Sequence, residues 1–177
     1  MSNVHQLTDV ATLRQRARQH VEEGAVTHSY TADREEVLRL LNEALATELV
    51  CVLRYKRHYF MASGLKASVA ADEFLEHATQ EAQHADTLAE RIVQLGGEPE
   101  FNPDLLSKHS HAQYVAGNTL KEMVYEDLVA ERIAIDSYRE MIQFIGDQDS
   151  TTRRILEDIL AQEEEHADDM ADILKDL

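Results

Sequence analysis

The sequence holds one cysteine, two prolines, six glycines and no tryptophan in 177 residues. The lone Cys51 can neither close an internal disulfide nor supply a cysteine metal knuckle, and it fits a reducing cytoplasm. With so few prolines and glycines, and with Leu, Ala and Glu abundant, little interrupts helix, and the composition points to an all-α fold. No apolar run approaches the ~18 residues of a membrane-spanning helix. The opening MSNVHQLTDV lacks the apolar stretch of a signal peptide, so no membrane partner is expected. Positive charge is scarce too: 17 Lys and Arg stand against 34 Asp and Glu, a net charge of −17. That balance argues against a nucleic-acid surface over the whole molecule, and suits solubility or the attraction of cations.

What remains is a chain of one-domain size with enough length for a sizeable core. Residues 1–32 read as an N-terminal extension. In TDVATLRQRARQHVEEG, Thr8 or Asp9 can cap a short helix and Gly24 can stop it. Arg14, Arg16 and Arg18 form a small basic cluster there, read as a solvated or packing face, with DNA or membrane contact as the alternative. Residues 33–177 carry four long helical stretches. The first runs from about 33 to 61 and ends at ASG; the second runs from about 66 to 95 and stops at Gly96-Gly97. The third runs from about 117 to 145 and stops at Gly146, and the fourth follows DQDS to the end. Short turns join the first pair and the second pair into antiparallel hairpins. The roughly twenty residues between the hairpins hold both prolines, can carry a short helix, and are long enough to cross a bundle. The predicted architecture is an antiparallel four-helix bundle with one long crossover.

Helical phase then locates the chemistry. Core-facing residues recur at alternating steps of three and four. In the fourth helix that stripe is Ile155, Ile159, Glu163, His166, Met170 and Ile173, with Glu164 and Glu165 turned to solvent. In the second it is Phe74, His77 or Ala78, Glu81, His84, Leu88, Ile92 and Leu95. In the first, Glu48 falls among Leu38, Leu41, Leu45, Val52, Tyr55 and Tyr59; in the third, Glu131 falls among Val124, Leu128, Ile135, Tyr138, Ile142 and Ile145. Each helix thus buries a glutamate at mid-length, and two add a histidine one turn on. A buried unpaired carboxylate costs several kcal/mol, and no Arg or Lys lies on these stripes nearby, so the charge calls for cations. Two divalent ions neutralise four carboxylates, with two imidazoles completing the ligand set. Glu48 to Glu81 spans 33 residues and Glu131 to Glu163 spans 32, so the hairpins are pseudo-equivalent.

The words LNEALATELVCVLRY, EFLEHATQEAQHADTLAERIVQLGG, DLVAERIAIDSYREMI and ILAQEEEHADDM resemble the ferritin superfamily, and within it bacterioferritins and Dps-like miniferritins. The resemblance implies a ferritin-like bundle with a ferroxidase centre holding two iron ions per subunit, oxidised by O2 or H2O2. It places Glu48 and His84 on one metal and Glu131 and His166 on the other, with Glu81 and Glu163 bridging. It also implies iron storage in a homo-oligomeric cage, protection against oxidative damage, and Tyr55 and Tyr138 near the centre, as core aromatics or in a redox or hydrogen-bonding role. Carboxylates with one imidazole per metal suit Fe, with Mn as an alternative, better than Zn.

Where bacterioferritin has a haem-ligating methionine after the Glu of its first Glu-x-x-His, this chain has Ala82, so haem is not expected. Only eleven residues follow His166, which leaves no room for a fifth helix and favours a 12-mer over a 24-mer. Alternatives are a di-metal oxidase or peroxidase that stores nothing, and a Dps-like shell whose arm touches DNA. His77 is expected in the core beside the site, His109 and His111 at the surface, and Cys51 as a small apolar residue.

Overall fold

A computed structural model of the chain describes residues 7–64 and 67–177. Among them every regular element is helical: α1 (Val10–Arg16), a 3-10 turn (Val21–Glu23), α2 (Arg34–Met61), α3 (Ala67–Gln94), α4 (Pro103–His109), α5 (Leu120–Ile145) and α6 (Ser150–Asp176). The sequence names the caps. Asp33, Thr119 and Asp149 accept from the backbone N–H of Glu36, Glu122 and Thr152, and Asn102 with Pro103 opens α4 in the crossover. The expected start of the second long helix at 66 lies outside the described residues. The third begins at Leu120, three residues later than expected, because Gly117 (φ 61°) turns the chain and Thr119 supplies the cap. At Gly97 the chain runs close against Leu38 and Ile92: a Cβ there would come within 2.5 Å of Leu38 Cδ2, which would have to shift.

The N-terminal helix departs from expectation more. Asp9 caps it, but it ends at Arg16 rather than near Gly24, since none of its residues is buried and His20 sits in the left-handed region (φ 50°). So short a helix with no packed face gains nothing from extension.

In the bundle α2 packs chiefly on α3 and α5 on α6; between the hairpins α3 meets α6 and α2 meets α5. The crossover runs the length of α2. Asn42 bonds Glu98 O and Glu100 N near one end, Thr47 Oγ1 accepts from His111 N midway, and Arg54 Nη1 donates to Gln113 O near the other end. Ala46, Val50 and Leu106 form a small apolar cluster, and two large ones make up most of the core. One gathers Leu41, Leu45, Leu88, Ile92, Ile145 and Leu156; the other Tyr55, Phe74, Ala78, Val124 and Met170. Between them lies a polar layer. In α6 it is Leu156, not Ile155, that is fully buried at the start of the stripe, a shift of one position in phase.

Candidate metal centre

All six residues singled out by phase lie in that layer, each between 1% and 4% exposed: Glu48 from α2, Glu81 and His84 from α3, Glu131 from α5, Glu163 and His166 from α6. Glu164 and Glu165 are exposed. The six form two overlapping groups whose ligand atoms lie within 4.8 Å of one another: Glu48, Glu81, His84 and Glu163 in one, and Glu81, Glu131, Glu163 and His166 in the other.

The contacts show how the groups share residues. His84 Nδ1 lies 3.3 Å from Glu48 Oε2, 3.2 Å from Glu81 Oε2 and 2.9 Å from Glu163 Oε1. His166 Nδ1 lies 3.8 Å from Glu81 Oε1, 3.8 Å from Glu131 Oε2 and 3.9 Å from Glu163 Oε2. Glu81 and Glu163 therefore present one oxygen to each group, the arrangement a bridging carboxylate needs. Separations of about 3–4 Å are those of donor atoms held ~2.1 Å from a shared cation.

A local two-fold relation between the hairpins governs the surroundings. Tyr55 of α2 donates to Glu131 Oε1 of α5, and Tyr138 of α5 donates to Glu48 Oε1 of α2. Each tyrosine occupies one carboxylate oxygen and leaves the other facing the centre. Across the other pair of helices, His166 Nε2 donates to Gln80 Oε1 at 2.6 Å and His84 Nε2 to Gln162 Oε1 at 2.6 Å. These bonds fix both rings so that Nδ1 faces the carboxylates, as partners of metal-binding histidines do. The glutamines escaped the helical-phase reading because they lie off the apolar stripe. The signal was nonetheless present: the repeated word is Gln-Glu-x-x-His, in QEAQH and QEEEH.

A second buried polar group lies off the apolar stripes. Arg54, 1% exposed, donates from Nε to Asp127 Oδ1 at 2.7 Å, and His58 Nδ1 lies 2.7 Å from Asp127 Oδ2. His58 Nε2 and Arg57 reach Ala116 O in the crossover. A buried arginine is thus present a few residues from the layer, yet it pairs with Asp127 rather than with any of the four glutamates. His77 is buried beside the centre, its ring stacked on that of His166 at 4.0 Å. Cys51 is buried, and His109 and His111 lie in the crossover with exposed surface.

The electrostatics are those of too many carboxylates in one dry space. Burial, then the charge of Glu81, raises the pKa of Glu48; burial, then the charges of Glu81, Glu48 and Glu131, raises that of Glu163. Burial opposes protonation of His166, but the facing carboxylates of Glu131 and Glu81 outweigh it and push its pKa up to about 9. His84 is raised in the same way, by Glu163, Glu48 and Glu81. Among the six, Glu81 alone is lowered, its burial outweighed by its interactions with Glu48, His166 and His84. Even so, Glu81 Oε1, Glu131 Oε2, Glu163 Oε1 and His166 Nδ1 are buried without a hydrogen bond, and among the described residues they are the only such side-chain atoms.

Comparison with known proteins bears on the family and the fold. The profile of the Ferritin family, described as a ferritin-like domain, matches residues 38–177. The bacterioferritin of Mycobacterium avium is 34% identical over 134 residues, covering 75% of this chain and 80% of that protein. A solved structure of the bacterioferritin-related protein from Bacteroides fragilis, described as a dodecameric thioferritin, superposes with a TM-score of 0.79 at 32% identity, covering 81% of this chain and 87% of that one. The X-ray structure of Dps from Thermosynechococcus elongatus shares the fold, with a TM-score of 0.76 at 22% identity over 79% of this chain and 90% of that one. An all-α bundle with one long crossover, a match over residues 38–177 and a bacterioferritin relative at this identity together place the chain in the ferritin-like family.

Proposed function

We propose that the protein is a ferroxidase that binds two Fe(II) in the polar layer of each bundle and stores the oxidised iron in a cage of identical subunits. The observation that carries this reading is the set of four buried polar atoms without hydrogen bonds, all within the two overlapping groups. Native cores rarely leave such atoms unmatched, and two cations, one in each group, would satisfy all four. In this reading Glu48 and His84 bind one iron, Glu131 and His166 the other, and Glu81 and Glu163 bridge them. The relatives' description as bacterioferritins supports iron as the cargo, and the carboxylate-rich set with one imidazole per ion suits iron or manganese.

The reaction balances simply. Each Fe(II) gives up one electron. With two protons, O2 takes the pair and leaves as H2O2, or H2O2 takes it and leaves as two waters. The chain's own groups prepare for this. Tyr55 and Tyr138 hold Glu131 and Glu48 in place, and Gln80 and Gln162 hold the imidazoles with Nδ1 inward. Hard anionic oxygens favour the ferric product over the ferrous substrate. Metal entry releases the protons that the raised pKa values retain.

A 12-subunit cage is the assembly proposed, supported by the dodecameric B. fragilis protein. The domain division proposed is an N-terminal extension, residues 1–32, ahead of a four-helix bundle, residues 33–177. The surplus of acid draws cations inward, and the free Cys51 fits a reducing cytoplasm. No helix among the described residues is long and apolar enough to cross a membrane. The test is Fe(II) titration of metal-free protein, followed optically on exposure to O2 or H2O2. A fast phase saturating at two irons per chain, abolished in Glu163→Ala, is expected, with slower uptake beyond two marking storage. Equal oxidation by wild type and variant, with no break at two, would sink the reading.

A further inference from the structure

Beside the six-residue layer lies a third group of ligand-type side chains. Glu73 and His77 are one turn apart on α3, and Asp169 faces them from α6. One ligand atom from each lies within 4.8 Å of the others. His77 is 1% exposed, whereas the side chains of Glu73 and Asp169 are 33% and 45% exposed. The trio therefore reaches from solvent to the buried layer.

His77 is the hinge of the arrangement. Its Nδ1 lies 3.3 Å from Tyr55 Oη, the hydroxyl that holds Glu131. Its ring stacks on His166 at 4.0 Å with only 21° between the planes. Its Nε2 points the other way, 3.6 Å from Glu73 Oε2 and 3.5 Å from Asp169 Oδ2. Those separations are long for N–H···O hydrogen bonds, yet they are ordinary for donors around one cation. Tyr55 holds the ring from behind with Nε2 aimed at the two carboxylates. Glu73 is crowded as well, its pKa raised by burial and by the charges of Asp169, Glu76 and Asp72.

We propose that Glu73, His77 and Asp169 form a third divalent-cation site, at the surface end of a path whose inner end is the His166 half of the centre. It is a waiting site. Two carboxylates and one imidazole hold an Fe(II)-like ion loosely, because the remaining positions stay open to water. The His77 ring, stacked on His166, links that site to the centre. The site itself stands on its own geometry; only its role in supplying the centre rests on the ferroxidase reading.

The test uses full-length metal-free protein and Co(II) alone, titrated under nitrogen. Wild type should bind three Co(II) per chain, two tightly and one at least tenfold more weakly. The double variant Glu73→Gln, Asp169→Asn keeps shape and exposure, and it should bind only the tight pair. In stopped-flow oxidation the same variant should still oxidise two Fe(II) per chain, but at least fivefold more slowly. Equal Co(II) stoichiometry in wild type and variant would overturn the site, and unchanged oxidation rates would overturn its supplying role. Failure of the centre itself would look different: the tight pair would be missing from wild type, while the weak equivalent would still depend on Glu73 and Asp169.

Discussion

At the scale of single residues, the centre consists of ligand-type side chains and of groups that aim them. Gln80 and Gln162 each sit next in sequence to a glutamate of one helix and bond the histidine of the other. Such a partner fixes the tautomer and orientation of a metal-binding ring, and its loss typically weakens metal affinity 10–100-fold. Gln80→Leu should therefore weaken the His166 half of the site by roughly that factor and spare the His84 half. Stepwise Co(II) titration resolves the two halves; equal weakening of both, or of neither, would contradict the assigned contacts. The six central residues were legible in sequence because burial imposes a 3.6-residue phase, and polar residues within an apolar stripe stand out. The glutamines were hidden by the same rule. Both are half-buried residues flanking the stripe, and a polar residue in that position reads as solvated.

At the scale of elements, the hairpins and crossover followed from turn lengths, and cap residues placed the helix starts. The phase method failed where a charged pair is buried. Arg54 precedes Tyr55 by one residue, about 100° off the stripe, yet it is 1% exposed, as its partner Asp127 is 0% exposed. No periodicity shows that two charges 73 positions apart will meet. Their contact links α2 to α5, and Arg54 with His58 also ties the crossover to the bundle. Removing one partner of a buried ion pair strands the other, so Arg54→Met should cost about 3–5 kcal/mol in urea unfolding. The double change Arg54→Met, Asp127→Leu should recover most of it. A loss below ~1 kcal/mol in the single variant would show that the pair holds little together. The N-terminal helix is shorter than its sequence signals suggest for the opposite reason: it buries nothing, so local signals alone decide its end.

At the scale of the whole molecule, four buried carboxylates are tolerated only with compensating charge. Without metal, that charge is protons. His166 has its pKa raised from the ordinary 6.5 to about 9. A raised histidine stabilises the fold fully below its unfolded value and loses that contribution as pH climbs through its folded value. The metal-free protein should therefore lose stability between about pH 6.5 and 9, by on the order of 3 kcal/mol from this residue. Raised Glu48 and Glu163 act in the same sense, beginning above their ordinary value of 4.5. Lowered Glu81 acts oppositely and only in acid, where its contribution disappears as pH falls. Thermal unfolding of metal-free protein across this range should show the decline, and metal loading should flatten it; a metal-free Tm that rises from pH 6.5 to 9 would contradict the assignment.

The central claim is that the layer between the two large apolar clusters holds two ions bridged by Glu81 and Glu163. The most direct measurement is an anomalous difference map at the iron edge, from crystals soaked anaerobically in Fe(II). Two peaks roughly 3.5–4 Å apart are predicted, one beside Glu48 and His84 and the other beside Glu131 and His166. A map with no density in that layer, or with a single ion that leaves one lone glutamate and its histidine unused, would contradict it.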